Sequence, residues 1–359
     1  MTNDFFLTEW FFYALRWLFS VVGNSYFLTI LIVTLVLRLV QIFPDIQSRK
    51  TQRKQAALQP QLDKIREKYA NDPQKLNQEQ SKLMRANGIG CLAGCLPMLL
   101  TLPLFFCFLA AFRFWGYEKT VILTYETIQD KAAVEQGETS TLAQDTFDSY
   151  RFLWITNIWQ PDSGFAPVVT DAKTVATYGA STGLSCGGSK GSVGNMVIFR
   201  DGYTNARGET VTGQQMWDTF LEYGIAEGDF GSSEMKLCGT DDAKTKYNDL
   251  MTGTYMKGNN NGWFILPILA AGFQFLLAWL SQKQQKKANP TAASDPSKNM
   301  NFMMWLFPIM SLVFCLSSTS AFALYWVLSS VLQIGSTLII TRIMSKQPEP
   351  EVITEVPKK

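Results

Sequence analysis

Five apolar runs are the feature of this sequence that most constrains its fold. A helix needs about 20 residues, at about 1.5 Å each, to cross a hydrocarbon core roughly 30 Å thick, and most of the runs are that long. Almost no loop separates the last two, so we interpret them as a tight helical hairpin. The runs predict an all-α polytopic membrane protein with a core of five transmembrane helices. They lie near residues 25–43, 92–115, 263–281, 302–317 and 321–341.

The segregation of charge along the chain predicts its orientation. Residues 45–91 and 282–300 are rich in Lys and Arg, and short basic loops stay in the cytosol. Residues 113–262 are acidic on balance, which suits the outside, although long loops cross membranes largely regardless of charge. With five spans, the N-terminus is expected outside and the C-terminus in the cytosol.

Polar and apolar stretches together predict the order of segments along the chain. The predicted segments are an interfacial amphipathic helix at 1–22, spans at 23–44, 92–115, 261–281, 301–318 and 319–342, a cytosolic helical hairpin at 45–91, an extracytosolic membrane-edge loop at 116–164, a small extracytosolic insertion of α or α+β type at 165–260, a cytosolic loop at 282–300 and a disordered cytosolic tail at 343–359.

Residues 5–20 are apolar apart from one polar stripe. Such a stripe favours an amphipathic helix that lies in the membrane interface. A pair of spans here would leave the later topology unchanged, so charge counting does not decide between the two interpretations. The stripe consists of Glu9, Tyr13, Arg16 and Ser20.

Residues 47–87 are polar and rich in helix-forming residues. Their apolar positions repeat at a heptad-like spacing that a disordered loop lacks. Asp72 suits a helix N-cap and Pro73 the first helical position, so a second helix is expected to run from there to about Asn87. The segment is therefore predicted to be a helical hairpin. The repeating positions are Leu58, Leu62, Ile65 and Tyr69.

The segment expected outside contains two cysteines, Cys186 and Cys238. A disulfide persists in that compartment, so the two form a candidate pair, provided that their Cα atoms approach within bonding range. The other cysteines lie in or beside apolar runs and are interpreted as small apolar fillers. Residues 196–203 are expected to form a β-hairpin with its turn at Asp201-Gly202, and 214–223 a short helix.

The chain contains no histidine and so lacks the commonest metal ligand and general base at neutral pH. An intramembrane hydrolase is disfavoured because no serine or carboxylate lies deep in a span beside a base. The glycine- and serine-rich string at 183–190 lacks the strand-to-helix context of a phosphate loop. We therefore expect that the protein is not an enzyme and needs no cofactor or metal.

Arg38 lies inside the first apolar run, shortly before Pro44. A guanidinium near the middle of a bilayer costs about 2.5–3.5 kcal/mol, and snorkelling to the cytosolic interface is one explanation for its presence. A lipid-facing helix has no use for the polar stripe that Arg38 forms with Thr34, Gln41 and Asp45. The stripe therefore also fits an arginine that faces other helices.

Polar residues recur in the other apolar runs. Each hydroxyl alone is explained by an interhelical hydrogen bond, worth about 0.6 kcal/mol on average. Together with an arginine they predict a hydrophilic groove that holds something polar or acidic temporarily. The predicted groove residues are Thr34, Arg38, Gln41, Gln274, Ser311, Cys315, Tyr325, Trp326, Ser329 and Gln333.

An ordered set of short motifs resembles the YidC/Oxa family of membrane protein insertases. Each motif alone is weak, but the set keeps its order and covers most of the chain outside 165–260, a stretch that the usual pattern lacks. The motifs are Leu37-Arg38-Leu39, Phe43-Pro44, Ala57-Leu58-Gln59-Pro60-Gln61-Leu62, Glu67-Lys68-Tyr69, Asp72-Pro73-Gln74-Lys75-Leu76, Gly94-Cys95-Leu96-Pro97-Met98, Leu102-Pro103-Leu104-Phe105-Phe106, Phe152-Leu153-Trp154, Ile265-Leu266-Pro267-Ile268, Phe307-Pro308-Ile309-Met310 and Ala323-Leu324-Tyr325-Trp326.

The resemblance implies a five-helix core around a groove that is closed to the outside and open to the cytosol and to lipid. The intramembrane arginine of the family, which Arg38 matches, is implied to attract acidic residues of a substrate. The hydrophobic segment of the substrate then moves laterally into lipid without ATP hydrolysis by the insertase. The chain looks most like the shorter Gram-positive type, in a bacterial plasma membrane.

The partners implied by the resemblance are nascent membrane proteins, membrane lipids, the Sec translocon, the ribosome and the signal recognition particle system. The tail is short and nearly charge-balanced, which departs from the long basic tails that contact ribosomes. No direct DNA binding is expected. A small-molecule transporter or channel that uses the same polar cavity is the alternative, although the sequence shows no internal repeat.

Overall fold

The apolar runs and the polar segments between them fold mainly into helices. The computed structural model describes residues 6–89, 96–178, 193–255, 260–288, 298–348 and 350–353. The helices are α1 (Phe6–Val21), α2 (Tyr26–Lys68), α3 (Pro73–Ala86), α4 (Leu96–Glu135), α5 (Leu142–Ser149), α6 (Ala172–Val175), α7 (Val197–Asp201), α8 (Gly213–Tyr223), α9 (Asp241–Tyr255), α10 (Ile265–Ala288), α11 (Lys298–Ser317) and α12 (Ser320–Ser345).

Strands in the described part of the chain form two short antiparallel pairs. Strand β1 (Tyr203–Thr204) pairs with β2 (Thr210–Val211), and β3 (Ala226–Glu227) pairs with β4 (Lys236–Leu237). Both pairs lie within the predicted insertion at 165–260, which therefore contains strands as well as helices.

Three of the described helices are long and apolar enough to cross a membrane. They are α2, α10 over Ile265–Lys283, and α12, and a shorter apolar helical stretch covers Leu306–Ser317 in α11. The prediction of an all-α membrane protein is confirmed at this level, because the membrane-crossing candidates are helices. The five-helix core stays a prediction.

The chain divides into two compact units. The first unit comprises Met1–Ile30, Phe105–Leu269 and Leu312–Trp326. The second unit comprises Leu31–Leu104, Ala270–Ser311 and Val327–Lys359.

Helix α3 lies where the second helix of the hairpin is predicted, whereas α2 is continuous with the first predicted span and does not begin at the hairpin. Helix α2 continues through Pro44 and Pro60 to Lys68. The Asp72 carboxylate then accepts a hydrogen bond from the backbone of Lys75, and Pro73 opens α3. A core cluster joins the two helices, and we call it the hairpin core. It consists of Leu58, Leu62, Leu83 and Ile89.

Helix α4 extends well beyond the end predicted for its span. A membrane-edge loop is expected from residue 116, whereas the helix runs to Glu135. The reason is a buried apolar face that continues through Trp115, Ile122 and Ile128. The prediction of a loop is therefore wrong for the first part of 116–164.

The β-hairpin predicted at 196–203 is also wrong. Residues Val197–Asp201 form helix α7, and Gly202 ends it with a positive φ of 66°. That conformation suits glycine at the end of a helix, so the strand pairing begins only at Tyr203. The predicted helix at 214–223 is confirmed as α8, which Thr212 and Gln215 cap reciprocally.

The polar stripe of α1 contacts α7 within the first unit. The Tyr13 hydroxyl donates to the Asp201 carboxylate at 3.2 Å, and an Arg16 nitrogen lies 3.4 Å from the same carboxylate. Arg200 pairs with Glu9 at 3.3 Å. The stripe that predicts an interfacial helix thus makes protein contacts, and the location of α1 in the interface stays a prediction.

Asp162 positions the start of α10 in the first unit. Its side chain is 0% exposed, and its carboxylate accepts hydrogen bonds from the backbone of Trp263 at 2.8 Å, Phe264 at 3.1 Å and Leu266 at 2.7 Å. The indole of Trp154 donates to it at 3.3 Å. The first turn of a helix leaves its N–H groups without partners, and this carboxylate supplies one acceptor for several of them.

Part of the tail predicted to be disordered is docked. Helix α12 runs to Ser345, and Val352 packs against the hairpin core. Residue Ile353 exchanges two hydrogen bonds with Asn87. The composition of the tail is dominated by prolines and charged residues, which is typical of disorder. The tail nevertheless contains two consecutive apolar residues that the small hairpin core can bind. The tail residues after 353 lie outside the described residues.

The candidate disulfide is not part of the described structure. Cys186 lies outside the described residues. Cys238 is a free, fully buried cysteine, and burial raises the pKa of its thiol to about 12.

Candidate functional site

The apolar helices carry polar residues on their buried faces and apolar residues on their exposed faces. In α2, Phe43 is 78% exposed, whereas Thr34 is 1% and Arg38 6% exposed. Helix α12 repeats the pattern with an exposed Ile339 and a buried Thr337. A soluble helix shows the reverse distribution. The exposed apolar faces are therefore those expected to contact lipid.

Arg38 is held by three side chains in the second unit. Its Nη2 donates to Asp45 Oδ2 at 2.5 Å and to Ser336 Oγ at 2.6 Å. Its Nη1 donates to Gln41 Oε1 at 3.2 Å. The remaining nitrogen, Nε, is buried and has no hydrogen-bond partner among the described residues. The Nε–H of the guanidinium is therefore an unused donor.

Helix periodicity explains why these groups meet. Gln41 and Asp45 follow Arg38 by one and two helical turns, so their side chains lie on the same face of α2. Asp45 is the counter-ion of Arg38, and its side chain is 31% exposed. A buried charge is costly unless it is paired and hydrogen-bonded, and this arrangement supplies both.

Two more arginines on α2 contact the last helix and the segment that follows it. Arg49 donates to the hydroxyls of Thr337 at 3.1 Å and Thr341 at 3.0 Å. Arg53 donates to the backbone carbonyls of Gln347 and Pro348, both at 3.1 Å. Together with the bond from Arg38 to Ser336, these contacts form a polar row between α2 and the C-terminal part of the second unit.

A second polar contact links α10 to α12. The Gln274 side chain donates to Ser330 Oγ at 3.0 Å, and Ser330 is 1% exposed. Such interhelical hydrogen bonds contribute about 0.6 kcal/mol on average in membrane proteins. Their larger effect is to fix which helix faces meet.

The structure brings together some of the predicted groove residues. Arg38 contacts Gln41, and Gln274 contacts Ser330, which is not among the predicted groove residues. Of the other predicted residues in the second unit, Thr34 and Ser311 are buried, and Ser329 and Gln333 are partly exposed.

The remaining predicted residues belong to the first unit. The Tyr325 ring lies 4.5 Å from that of Phe108, and the Trp326 ring lies 5.9 Å from that of Phe322. Cys315 is fully buried. That all the predicted residues line one groove stays a prediction.

Several participants are not among the predicted groove residues. Asp45 is on the predicted stripe, and its spacing of two turns from Arg38 is a sufficient signal for a counter-ion. Arg49 continues the same face one turn further. Ser330, Thr337 and Thr341 carry no local signal, because many serines and threonines in apolar helices only bond to their own backbone.

The described residues contain no group of three or more His, Cys, Asp or Glu side chains that could hold a metal ion. The neighbours of the Arg38 cation are an amide, a carboxylate and a hydroxyl. Such a site can attract, orient and exchange an anionic group.

Comparison with known proteins matches the sequence to a family. The sequence model of the 60Kd inner membrane protein family matches residues 17–188 and 229–347. Residues 189–228, which contain α7, both strands of the first pair and α8, lie outside the match.

Several curated relatives are called membrane protein insertase YidC. The relative from Clostridium perfringens is 28% identical over 176 residues, which cover 49% of this chain and 62% of that protein. The relative from Granulibacter bethesdensis is 40% identical over 101 residues, which cover 28% of this chain and 17% of that protein. The chain thus spans less than two thirds of the length of either relative. Because the family match covers most of the chain, this protein belongs to the 60Kd inner membrane protein family, the YidC/Oxa family that its motifs resemble.

Proposed function

We propose that this protein is a membrane protein insertase. It receives hydrophobic segments of nascent proteins in a polar groove centred on Arg38 and releases them laterally into the bilayer. The observation that carries the proposal is the buried guanidinium of Arg38, the only charged group from Tyr26 to Phe43 in an apolar helix. Membership of the family and the names of the relatives support the same function.

The neighbours of Arg38 indicate how a substrate engages it. Its unused Nε and its Nη2, which Asp45 and Ser336 share, can both donate to one incoming carboxylate. Charge-assisted pairs of this kind are roughly twice as strong as neutral hydrogen bonds. The acidic residue of a substrate therefore displaces Asp45 and is held until the adjoining apolar segment leaves the groove.

Polar side chains in the groove reduce the cost of this step. Unpaired polar groups of a substrate segment cost several kcal/mol each in hydrocarbon. Hydroxyl and amide groups such as those of Gln41 and Ser336 can pair with them temporarily. The apolar side chains of the segment gain nothing from the same groups, so they favour transfer to lipid.

The proposed topology places the N-terminus outside and the C-terminus in the cytosol. The α2–α3 hairpin is then cytosolic and receives substrates or their targeting factors. Membrane lipids receive the released segment, and the Sec translocon, the ribosome and the signal recognition particle system are the proposed macromolecular partners.

Insertion into liposomes that contain the purified protein tests the proposal. Two substrates that differ only in an acidic or a neutral translocated tail are compared. Arg38→Ala is expected to slow insertion of the acidic-tailed substrate at least about tenfold, equivalent to 1.4 kcal/mol, whereas Arg38→Lys retains most of it. Arg342→Ala, which removes an exposed arginine from α12, is the matched control.

Equal insertion by the wild type and both Arg38 variants would reject the role of the cation. Flux of small solutes through the same liposomes separates the insertase from a transporter or channel. Solute flux that depends on Arg38 in the absence of any protein substrate would favour the transporter.

A further inference from the structure

We propose that the α2–α3 hairpin carries a binding site for an extended apolar peptide and that residues 350–353 of the same chain occupy it. The proposal rests on two adjacent contacts. The Asn87 side chain forms hydrogen bonds with both backbone groups of Ile353, and the neighbouring Val352 packs against the hairpin core. We call this the tail site. It lies entirely within the second unit and does not depend on the insertase proposal.

The Asn87 side chain forms hydrogen bonds with the backbone of the bound segment. Its Oδ1 accepts from the Ile353 N–H at 2.7 Å, and its Nδ2 donates to the Ile353 carbonyl at 3.0 Å. A neighbouring β-strand offers the same pair of bonds, and this pairing gives affinity without depending on the side chain of the residue that is bound. Ile353 is accordingly 50% exposed.

The orientation of the amide is fixed by a third bond. Asn87 Nδ2 also donates to the Leu83 carbonyl at 2.9 Å, so both of its hydrogens are used. Rotating the amide by half a turn would place an oxygen against two carbonyls and the NH2 against an N–H, and all three bonds would be lost. Asn87 is 8% exposed, so water cannot readily replace them.

The end of α3 holds Asn87 in this position. Gly88 has a positive φ of 70°, and its N–H donates to the Arg85 carbonyl, while the Ile89 N–H donates to the Met84 carbonyl, both at 2.9 Å. This pair of bonds is the Schellman motif, in which a glycine reverses the chain at a helix end. The site is therefore formed by the fold of the hairpin itself and does not require the tail to organise it.

The apolar part of the site selects the residue before Ile353. Val352 packs against the hairpin core, in which Leu58 is 0% and Leu83 3% exposed. Two helices of a hairpin can bury only part of such a core, so an apolar side chain from an extended segment completes it. The ligand class is thus an extended peptide with an apolar residue immediately before the residue that Asn87 binds.

Arg53 supplies the other end of the tail site. Its guanidinium donates to the carbonyls of Gln347 and Pro348, which again are backbone groups. Proline has no N–H to satisfy and favours an extended conformation, and Pro348 and Pro350 both precede Val352 and Ile353. The tail is therefore built as a ligand that loses little conformational entropy on binding.

The covalent link makes the tail a strong competitor. A short flexible linker gives an effective concentration in the millimolar range, so another peptide of the same class binds only weakly while the tail is in place. Any polypeptide that presents an apolar residue in an extended segment gains access once the tail leaves.

Fluorescence anisotropy of a labelled peptide with the sequence of residues 346–353 tests the proposal on the full chain in micelles. Ile353→Pro removes the backbone N–H that donates to Asn87 Oδ1, so the tail should leave the site. The labelled peptide is expected to bind Ile353→Pro at least about tenfold more tightly than wild type. Glu351→Ala, which changes an exposed tail residue, is the matched control and should behave as wild type.

Two further measurements identify the site. Adding Asn87→Ala to Ile353→Pro should weaken binding of the peptide at least about tenfold. Asn87→Ala can also loosen the hairpin, so a second measurement leaves the hairpin unchanged. In it, a labelled peptide that carries Val352→Asp is added to the Ile353→Pro protein. This peptide should not bind. Equal binding by wild type and Ile353→Pro, or binding that ignores the Val352→Asp change, overturns the proposal.

Discussion

The Arg38 guanidinium lies 2.5 Å from the carboxylate of Asp45 in the same helix, and the two partners differ in burial. The side chain of Arg38 is 6% exposed and that of Asp45 31%. Removing a partner from a buried charge is costly, whereas a partly exposed carboxylate keeps some of its water. Asp45 is therefore the partner that can leave at lower cost, and in the proposed function it competes with the acidic group of a substrate.

Replacing Asp45 tests this competition. Asp45→Asn keeps the size of the side chain and one oxygen acceptor but removes the charge, so Arg38 becomes more available. Photocrosslinking of an acidic-tailed substrate to a probe in α2 should increase several-fold, and crosslinking of the neutral-tailed substrate should not change. Asp63→Asn, which removes the partner of Arg66 in the hairpin, is the control. A decrease with Asp45→Asn would contradict the competition.

The helical hairpin could be predicted because its signals are local. Asp72 suits the N-cap of a helix and Pro73 its first position, and the spacing of Leu58 and Leu62 defines one apolar face. The same holds for the polar face of α2, where Arg38 and Gln41 are within one turn of each other. These features depend on backbone geometry over a few residues and not on the rest of the fold.

Features that depend on contacts between distant residues could not be predicted. In the sequence, Val352 belongs to a charged, proline-rich tail, and only the folded structure shows that it packs against the hairpin core. The extension of α4 follows from burial of Ile122 and Ile128, which the sequence of that segment does not reveal. The contact between Arg38 and Ser336 joins residues 298 positions apart, and no spacing rule applies at that distance.

The hairpin core is expected to determine the stability of α3. Leu62 is 5% exposed, and Leu62→Ala should destabilise the hairpin by about 2–5 kcal/mol because it leaves a cavity. Hydrogen–deuterium exchange of the α3 backbone measures the effect, since faster exchange reports local opening. Leu76→Ala removes a partly exposed leucine outside the hairpin core and should have a smaller effect. Equal acceleration by both variants would show that the core does not hold α3.

Asp162 is expected to be essential for the first unit. Asp162→Ala leaves the N–H groups of Trp263, Phe264 and Leu266 without their acceptor, at a cost of about 1–3 kcal/mol for each group that stays buried and unpaired. Asp162→Asn keeps one oxygen and should lose less. Thermal unfolding in one detergent gives the ranking, with Asp171→Ala at the exposed cap of α6 as the control. A loss of stability by Asp162→Ala no greater than that of the control would refute this role.

Glu126 is expected to make the first unit less stable as the pH rises. It lies in α4 beyond the predicted span, is 1% exposed, and accepts a hydrogen bond from the Tyr203 hydroxyl at 2.9 Å. Burial raises the pKa of Glu126 above its ordinary value of 4.5. Between that value and the raised pKa, the folded protein keeps a proton that the unfolded chain has lost, so stability falls as the pH rises through this window.

Glu126→Gln removes the titration and keeps an oxygen for Tyr203. The variant should unfold at a higher temperature than wild type at pH 7, because it has no buried carboxylate to ionise, and the two proteins should converge below pH 4.5, where wild type is protonated in both states. Thermal unfolding across this range measures the difference. Glu135→Gln changes an exposed residue of the same helix and should leave the pH dependence of wild type intact. A stabilisation by Glu126→Gln of equal size at every pH would mean that ionisation of Glu126 is not its cause.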